Sequence, residues 1–247
     1  GFTGSTYLPE ISEQVGKLVG DDRAFGESFA LLMGIVLIIA GFGFKISSVP
    51  FQMWAPDVYE GSPTPITAFL SIASKAAGFA VVLRVFYVAF PTESLSLEWS
   101  AIFAVIAAAS MTVGNFVAIT QKNIKRMLAY STVAHAGYIL VGLASVSHRA
   151  AEGHEFVGAS GVLFYLAGYA AANLAAFSAV IAISNRIESD HIDDFAGMAR
   201  RTPYLSAVLG FSMISLIGVP PTVGFITKVY IFGAAIDANL EWLAVAG

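Results

Sequence analysis

Long runs without a single charged residue recur from one end of this chain to the other. Asp, Glu, Lys and Arg are absent from residues 28–44, 99–121, 127–147, 156–185 and 202–227. Residues 229–236 prolong the last run past Lys228 alone, and 64–90 carry only Lys75 and Arg84. A hydrocarbon core of about 30 Å takes about 20 helical residues to cross, and each run is near or beyond that length. Period-two alternation is absent and the runs are rich in Ala, Leu and Gly, which argues against membrane strands. The expectation is an all-α, polytopic membrane helix bundle of six complete spans plus the start of a seventh.

Composition agrees. Charged residues make up 12% of the 247 and hydrophobic ones 57%, against about 25% charged in a soluble domain. The absence of Cys excludes a disulfide scaffold, a thiolate metal site and a cysteine-held iron–sulfur cluster. With 13 basic and 17 acidic residues, the charge balance argues against nucleic acid as a partner. No Walker loop or dinucleotide fingerprint is present. The chain opens on Gly1 and stops inside an apolar run after Trp242, so it reads as an internal fragment, one partial transmembrane domain over residues 1–247.

Basic residues set the expected orientation. Lys122, Lys125 and Arg126 form one cluster and Arg186, Arg200 and Arg201 another, two spans apart, so both face one side. The positive-inside rule makes that side cytoplasmic. The other side receives Lys17, Arg23 and Arg149, with residues 1–27 as an extramembrane loop. The polar linker 186–202 places Ile187, Ile192, Phe195 and Met198 at roughly helical spacing, which predicts an amphipathic interfacial helix on the cytoplasmic side.

Two spans are interrupted by proline, at Val49-Pro50 after Lys45 and at Val219-Pro220-Pro221 before Lys228. Proline lacks a backbone donor and clashes with the preceding turn, and in a bilayer the freed groups must be satisfied by protein or water. One break lies in a span running inward and the other in a span running outward, the pattern of an inverted-repeat transporter. Two unrelated kinks would give the same residues.

Lys45, Lys75 and Lys228 fall at membrane depth. Charged and lipid-facing, the three would cost on the order of 8–10 kcal/mol. No complete span holds an Asp or Glu; Asp57, Glu60, Glu93, Glu98 and Asp237 sit in loops or at helix ends. The lysines therefore snorkel to the interface, pair with a carboxylate outside this stretch, or change protonation state, since desolvation opposes the charged form. Snorkelling suits Arg84 and is open to Lys45. Lys75 lies deep in its span, and Lys228 follows a double proline in a half-helix expected to face a hydrated interior. His135 exchanges a proton near neutral pH or serves as a hydrogen-bonded interhelical histidine. Asn115, Tyr165, Tyr169 and Asn173 order water or act as interhelical glue, and His148, His154 and His191 read as solvated loop residues.

Three stretches resemble a known family. Phe42-Gly43-Phe44-Lys45-Ile46-Ser47-Ser48-Val49-Pro50-Phe51 with Trp54-Ala55-Pro56-Asp57-Val58-Tyr59-Glu60-Gly61-Ser62-Pro63-Thr64-Pro65 is similar to the proton-translocating antiporter-like subunits of respiratory complex I. So are Asn123-Ile124-Lys125-Arg126-Met127-Leu128-Ala129-Tyr130-Ser131 and Gly218-Val219-Pro220-Pro221-Thr222-Val223-Gly224-Phe225-Ile226-Thr227-Lys228. The first and third are shared, in variants, with multisubunit sodium/proton antiporters. Asp57–Gly61 and Ser74-Lys75 resemble the subunit N branch.

The resemblance implies a chain running from one broken helix to just past a second. Lys45 matches the lysine of the first, Lys75 the central lysine of the next helix, and Lys228 the lysine of the second. In that family they line a hydrated axis, and a glutamate whose position falls upstream of Gly1 pairs with the first. The implied function is proton translocation along Lys45, Lys75, Lys228 and His135, coupled to quinone reduction elsewhere in an NADH-quinone oxidoreductase. No redox cofactor is implied in this chain; the complex would use NADH, FMN, iron–sulfur clusters and quinone. The implied partners are neighbouring antiporter-like subunits, the lipid bilayer and protons, and the implied location is a bacterial inner membrane. A sodium/proton antiporter subunit and a purely structural membrane subunit are the alternatives.

Overall fold

The computed structural model describes residues 4–20, 25–90, 93–145 and 156–247, and these contain no strand beyond an isolated bridge. Arg23, His148, Arg149 and His154 lie outside the described residues, as does the side chain of Glu93. Five helical stretches are long and apolar enough to cross a membrane. They lie in α2 (Phe25–Ile46), the run Thr64–Ala89, α6 (Glu93–Ile119), α7 (Ile124–Ala144) and α8 (Phe156–Ile187). The run Thr64–Ala89 comprises α4 (Thr64–Phe69), a π-helical turn (Leu70–Ser74) and α5 (Lys75–Ala89). The last uncharged run of the sequence is divided between α10 (Pro203–Ile217) and α11 (Val223–Asp237), 15 residues each, or about 22 Å apiece. The protein is a multi-pass integral membrane protein, and α12 (Glu241–Ala246) follows α11.

The two breaks are built alike. α2 stops where Ser47 takes φ 60. The Ser48 amide there donates to the Gly43 carbonyl (2.9 Å) and the Ser47 amide to Phe44 (3.1 Å). α10 stops at Gly218, φ 90, where the Val219 amide donates to Ile214 (3.2 Å) and the Gly218 amide to Ser215 (3.1 Å). Both are Schellman turns, which return terminal carbonyls to amide donors. Proline follows each and prevents the helix from resuming in line. At the first break Gly43 is required: a Cβ there would lie 2.7 Å from the Phe51 ring. The Val49 amide leaves its own helix altogether and donates to Ser110 Oγ on α6 at 2.9 Å. The chain then turns into the half-helix α3 (Trp54–Gly61).

Contacts at one end of the bundle orient the two broken helices. Arg126, in the first turn of α7, pairs with Asp57 and Glu60 of α3. The Lys122 carbonyl accepts the Ile192 amide of the linker that leads into α10. α2–α3 therefore runs toward this end and α10–α11 away from it, as the proline spacing predicts for an inverted pair. The same contacts bring the two basic clusters of the sequence to one face.

α7 is the central helix, with 83% of its membrane window buried. Its tightest neighbour is α6, and small residues set that distance. A Cβ on Gly114 would lie 2.6 Å from the Ala134 nitrogen, and one on Gly137 would lie 2.7 Å from the Met111 nitrogen and 2.8 Å from the Ala107 oxygen. Backbones this close gain dispersion contact that larger side chains would forbid.

Two segments differ from expectation. Leu8–Gly20, expected within an extramembrane loop, is a helix (α1) that packs on α5. Leu8, Ile11 and Val15 recur at helical spacing and join the apolar core, a pattern overshadowed by the surrounding charges. The linker, expected as one interfacial helix, forms a 3₁₀ turn (Ile192–Phe195) and a single helical turn, α9 (Met198–Arg201). Gly197 between them takes φ 77, a left-handed conformation that ends helical propagation.

The α6–α7 contact is testable. Gly137→Ala should cost about 1–3 kcal/mol, because the added methyl meets backbone that cannot rotate away. The readout is a lowered thermal midpoint in detergent for the full-length protein. Gly41→Ala, where a Cβ meets nothing within 4 Å, should leave the midpoint unchanged.

Candidate functional site

The site is a row of polar groups along α7. Thr132, His135 and Tyr138 follow one another at three-residue spacing and so share one ridge of the helix. At one end, Lys75 Nζ donates to the Thr132 carbonyl at 2.5 Å, with the lysine only 2% exposed. In the middle, His135 Nδ1 lies 2.7 Å from Tyr165 Oη, and the imidazole centroid is 4.9 Å from that of Tyr169. At the other end, Lys228 Nζ stands 4.2 Å above the centre of the Tyr138 ring, whose hydroxyl accepts from Asn115 Nδ2 at 3.0 Å.

Local structure places each lysine. Lys75 opens α5 directly after the π turn Leu70–Ser74, and such a turn spoils the regular hydrogen-bond ladder. Neighbours supply the deficit. Tyr169 Oη donates to the Ser71 carbonyl (3.3 Å), Ser71 Oγ to the Ala68 carbonyl (2.8 Å), and Asn173 Nδ2 to Ser71 Oγ (2.8 Å). Lys228 folds back from α11 to donate to the Ile217 carbonyl at 2.9 Å. That carbonyl belongs to the final turn of α10, the negative pole of a helix, which favours a cation. Gly218 makes room for the lysine stem: a Cβ there would lie 3.0 Å from Lys228 Cδ.

The four expected proton-carrying residues divide three to one. Lys75, His135 and Lys228 meet along α7. Lys45 is exposed at the end of α2 and forms no hydrogen bond or ion pair among the described residues; its stem runs past Gly78. Arg84 is also exposed, in keeping with snorkelling. Pro50, Pro220 and Pro221 all lie in the two breaks. No carboxylate enters the row among the described residues; backbone carbonyls and an aromatic face receive the ammonium groups instead. The ion pairs between helices lie at one end of the bundle, where Lys125 meets Asp190 at 2.9 Å and Arg126 meets Asp57 at 2.7 Å and Glu60 at 2.8 Å; Lys17 pairs with Glu13 within α1.

A cavity of ≈ 10 Å³ lies beside His135, about the smallest that holds one water. Tyr165, Tyr169, Ser215 and Thr227 help to line it, and the buried Ser215 hydroxyl has no protein partner. Among the described residues no three His, Asp or Glu side chains gather as a metal site.

Sequence reasoning named Lys75, His135, Tyr165, Tyr169, Asn173, Asn115 and Lys228 but missed Thr132, Tyr138 and Ile217. Tyr138 carried a readable signal, three residues beyond His135 on the same face. The Thr132 and Ile217 carbonyls carried none, because backbone acceptors are invisible in a residue string.

The whole chain, residues 1–247, matches the family described as NADH:quinone oxidoreductase/Mrp antiporter, TM. NADH-quinone oxidoreductase subunit N of Dehalococcoides mccartyi is 51% identical over 249 residues, covering 99% of this chain and 50% of the relative. Subunit N of Heliobacterium modesticaldum is 47% identical over 247 residues, covering 100% and 48%. The chain thus spans about half the length of these relatives. Among solved structures, a chain of respiratory complex I from Thermus thermophilus with bound aureothin superposes with TM-score 0.71 at 34% identity, over 92% of this chain and 48% of that one. A chain of the Mrp complex from Dietzia sp. DQ12-45-1b superposes with TM-score 0.83 at 24% identity, over 99% and 42%; that likeness is one of fold.

The seat of Lys228 can be probed through Tyr138. Tyr138→Leu removes the ring beneath the ammonium, a contact worth about 0.5–2 kcal/mol, and should lower the thermal midpoint. Tyr138→Phe keeps the ring and gives up only the Asn115 bond, a net contribution of about 0.5–1.5 kcal/mol, so its midpoint should lie between those of Leu and wild type. Equal midpoints for Phe and Leu would show that the ring contributes nothing.

Proposed function

Because the chain belongs to the NADH:quinone oxidoreductase/Mrp antiporter transmembrane family, we propose that it is part of a proton-translocating membrane subunit of an NADH-quinone oxidoreductase. Protons move along Lys45, Lys75, His135 and Lys228 while quinone is reduced elsewhere in the complex. The observation that carries this reading is the row on α7, with a lysine at each end and a histidine between. The relatives named subunit N, matched over the whole chain at 51% and 47% identity, support the choice of complex.

The physics suits a relay. An ammonium away from water is costly unless its donors are used; along the row the buried Lys75 finds one carbonyl, and the half-buried Lys228 one carbonyl and an aromatic face. The Thr132 and Tyr138 stations are six residues apart, about 9 Å along the helix. Two positive charges at that distance repel by roughly 2 kcal/mol at an effective dielectric of about 20. A proton arriving at one station thus disfavours a proton at the next, and occupancy passes along the row. Lys75 serves as the central relay and Lys228 as the gate to the outer side. Lys45 is exposed on the flank, open to the upstream glutamate that the family resemblance implies.

The face bearing Lys125, Arg126, Arg200 and Arg201 is cytoplasmic in this reading, by the positive-inside rule, and the membrane is the bacterial inner membrane. The partners are neighbouring antiporter-like subunits. NADH, FMN, iron–sulfur clusters and quinone belong to the rest of the complex. A sodium/proton antiporter subunit is the second reading, favoured by the family description, which names the Mrp antiporter beside the NADH:quinone oxidoreductase. The 24% identity to the Mrp chain is far below that to the subunit N relatives.

The deciding measurement uses membrane vesicles holding the complete complex with the full-length subunit. Lys75→Met should lower NADH oxidation and proton uptake together, each several-fold, in vesicles with normal complex content. Normal values for both would remove Lys75 as an obligatory station and sink the reading. Sodium-stimulated proton exchange without an electron donor would favour the antiporter instead.

A further inference from the structure

The turn that opens α7 does more than carry positive charge. Asn123 caps the helix, its Oδ1 accepting from the amides of Lys125 (2.9 Å) and Arg126 (3.2 Å). The two basic side chains then point to different neighbours. Arg126 Nη1 reaches Asp57 Oδ1 at 2.7 Å and Glu60 Oε2 at 2.8 Å. Those carboxylates are three residues apart on α3 and so share one face of the half-helix. A single guanidinium bound to two points one turn apart fixes the rotation of α3 about its own axis as well as its distance. Charge-assisted bonds of this length are the stronger kind.

Lys125 completes the seat from the same turn. Its Nζ lies 3.3 Å from the Ser62 carbonyl, just past the end of α3, and 2.9 Å from Asp190 Oδ2 on the linker. Backbone bonds reinforce that second tie: the Ile124 amide donates to the Asp190 carbonyl and the Ile192 amide to the Lys122 carbonyl, each at 2.9 Å. One turn thus holds the far half of the first broken helix and the linker leading into the second. Eleven residues before Glu60, within the break, the Val49 amide is the other fixed point, on Ser110.

We propose that Arg126 is a positioning residue for proton translocation: by fixing the rotation of α3 against α7, it holds the Lys45 break in register with the Lys75–His135 row. This rests on the proton-relay reading above. It also assigns a role to the Asp57–Glu60 motif, whose carboxylates lie at the membrane edge and take no part in the row.

The test measures NADH oxidation and proton uptake in vesicles holding the complete complex at normal content. Arg126→Met is compared with the paired Asp57→Asn/Glu60→Gln variant, with all three substitutions combined, and with Lys75→Met. The proposal expects both rates to fall several-fold together for Arg126→Met, the same fall for the carboxamide pair, and no further fall for the combination. Normal rates in assembled Arg126→Met, or losses that multiply in the combination, overturn it. Asp57 and Glu60 are 71% and 41% exposed at their side chains. The carboxamide pair therefore leaves the fold intact, and its rates alone decide the question should Arg126→Met fail to assemble. Loss in Lys75→Met with normal rates in the Arg126 and carboxamide variants defeats this inference alone. Normal rates in Lys75→Met as well defeat the relay reading and this inference with it.

Discussion

In a hydrocarbon interior a backbone amide or carbonyl that leaves a helix has no water to turn to. The whole arrangement follows from how this chain meets that constraint at the few places where it breaks a helix. At Ser47 and Gly218 the terminal carbonyls are taken back by Schellman turns. At Val49 the amide is handed to Ser110, and at the π turn the Ser71 carbonyl is taken by Tyr169. The same accounting seats the lysines. Ile217 at the end of α10 offers a carbonyl that Lys228 fills, and Thr132 on α7 offers one to Lys75. Interruptions that would destabilise a simple span become, here, the means of placing cations at depth.

Polar chemistry is sorted by position along the bundle axis. At one end, where water competes, two cations are matched with carboxylates: Lys125 with Asp190, Arg126 with Asp57 and Glu60. Along the α7 row, cations meet only carbonyl dipoles and an aromatic face. Lys125, only 8% exposed at its side chain yet paired with a carboxylate, marks the boundary between the two regimes.

Much of this was legible in the sequence because membrane spans are written in the simplest code, the length of an uncharged run. The prolines marked both breaks, and the depth of Lys75 and Lys228 followed by counting. The resemblance of Phe42–Pro65 and Gly218–Lys228 to a known family then gave the roles proposed for them. What stayed hidden depended on partners distant in sequence. Nothing local announces that Asn123–Arg126 will meet both Asp57 and Asp190, or that Thr132 will lend its carbonyl 57 positions from Lys75. α1 was masked by its polar residues, and the linker helix failed on one glycine whose left-handed conformation outweighed a helical spacing of apolar residues.

The fit of α6 to α7 bears on motion. With Gly114 against the Ala134 backbone and Gly137 against Met111 and Ala107, neither helix can turn or slide without backbone colliding with backbone. The pair behaves as a stator. Thr132, His135 and Tyr138 are mounted on it and keep their spacing. In the proposed relay the stroke then comes from the half-helix that brings a lysine to the row from outside the pair, α11, swinging Lys228 toward or away from a fixed rail.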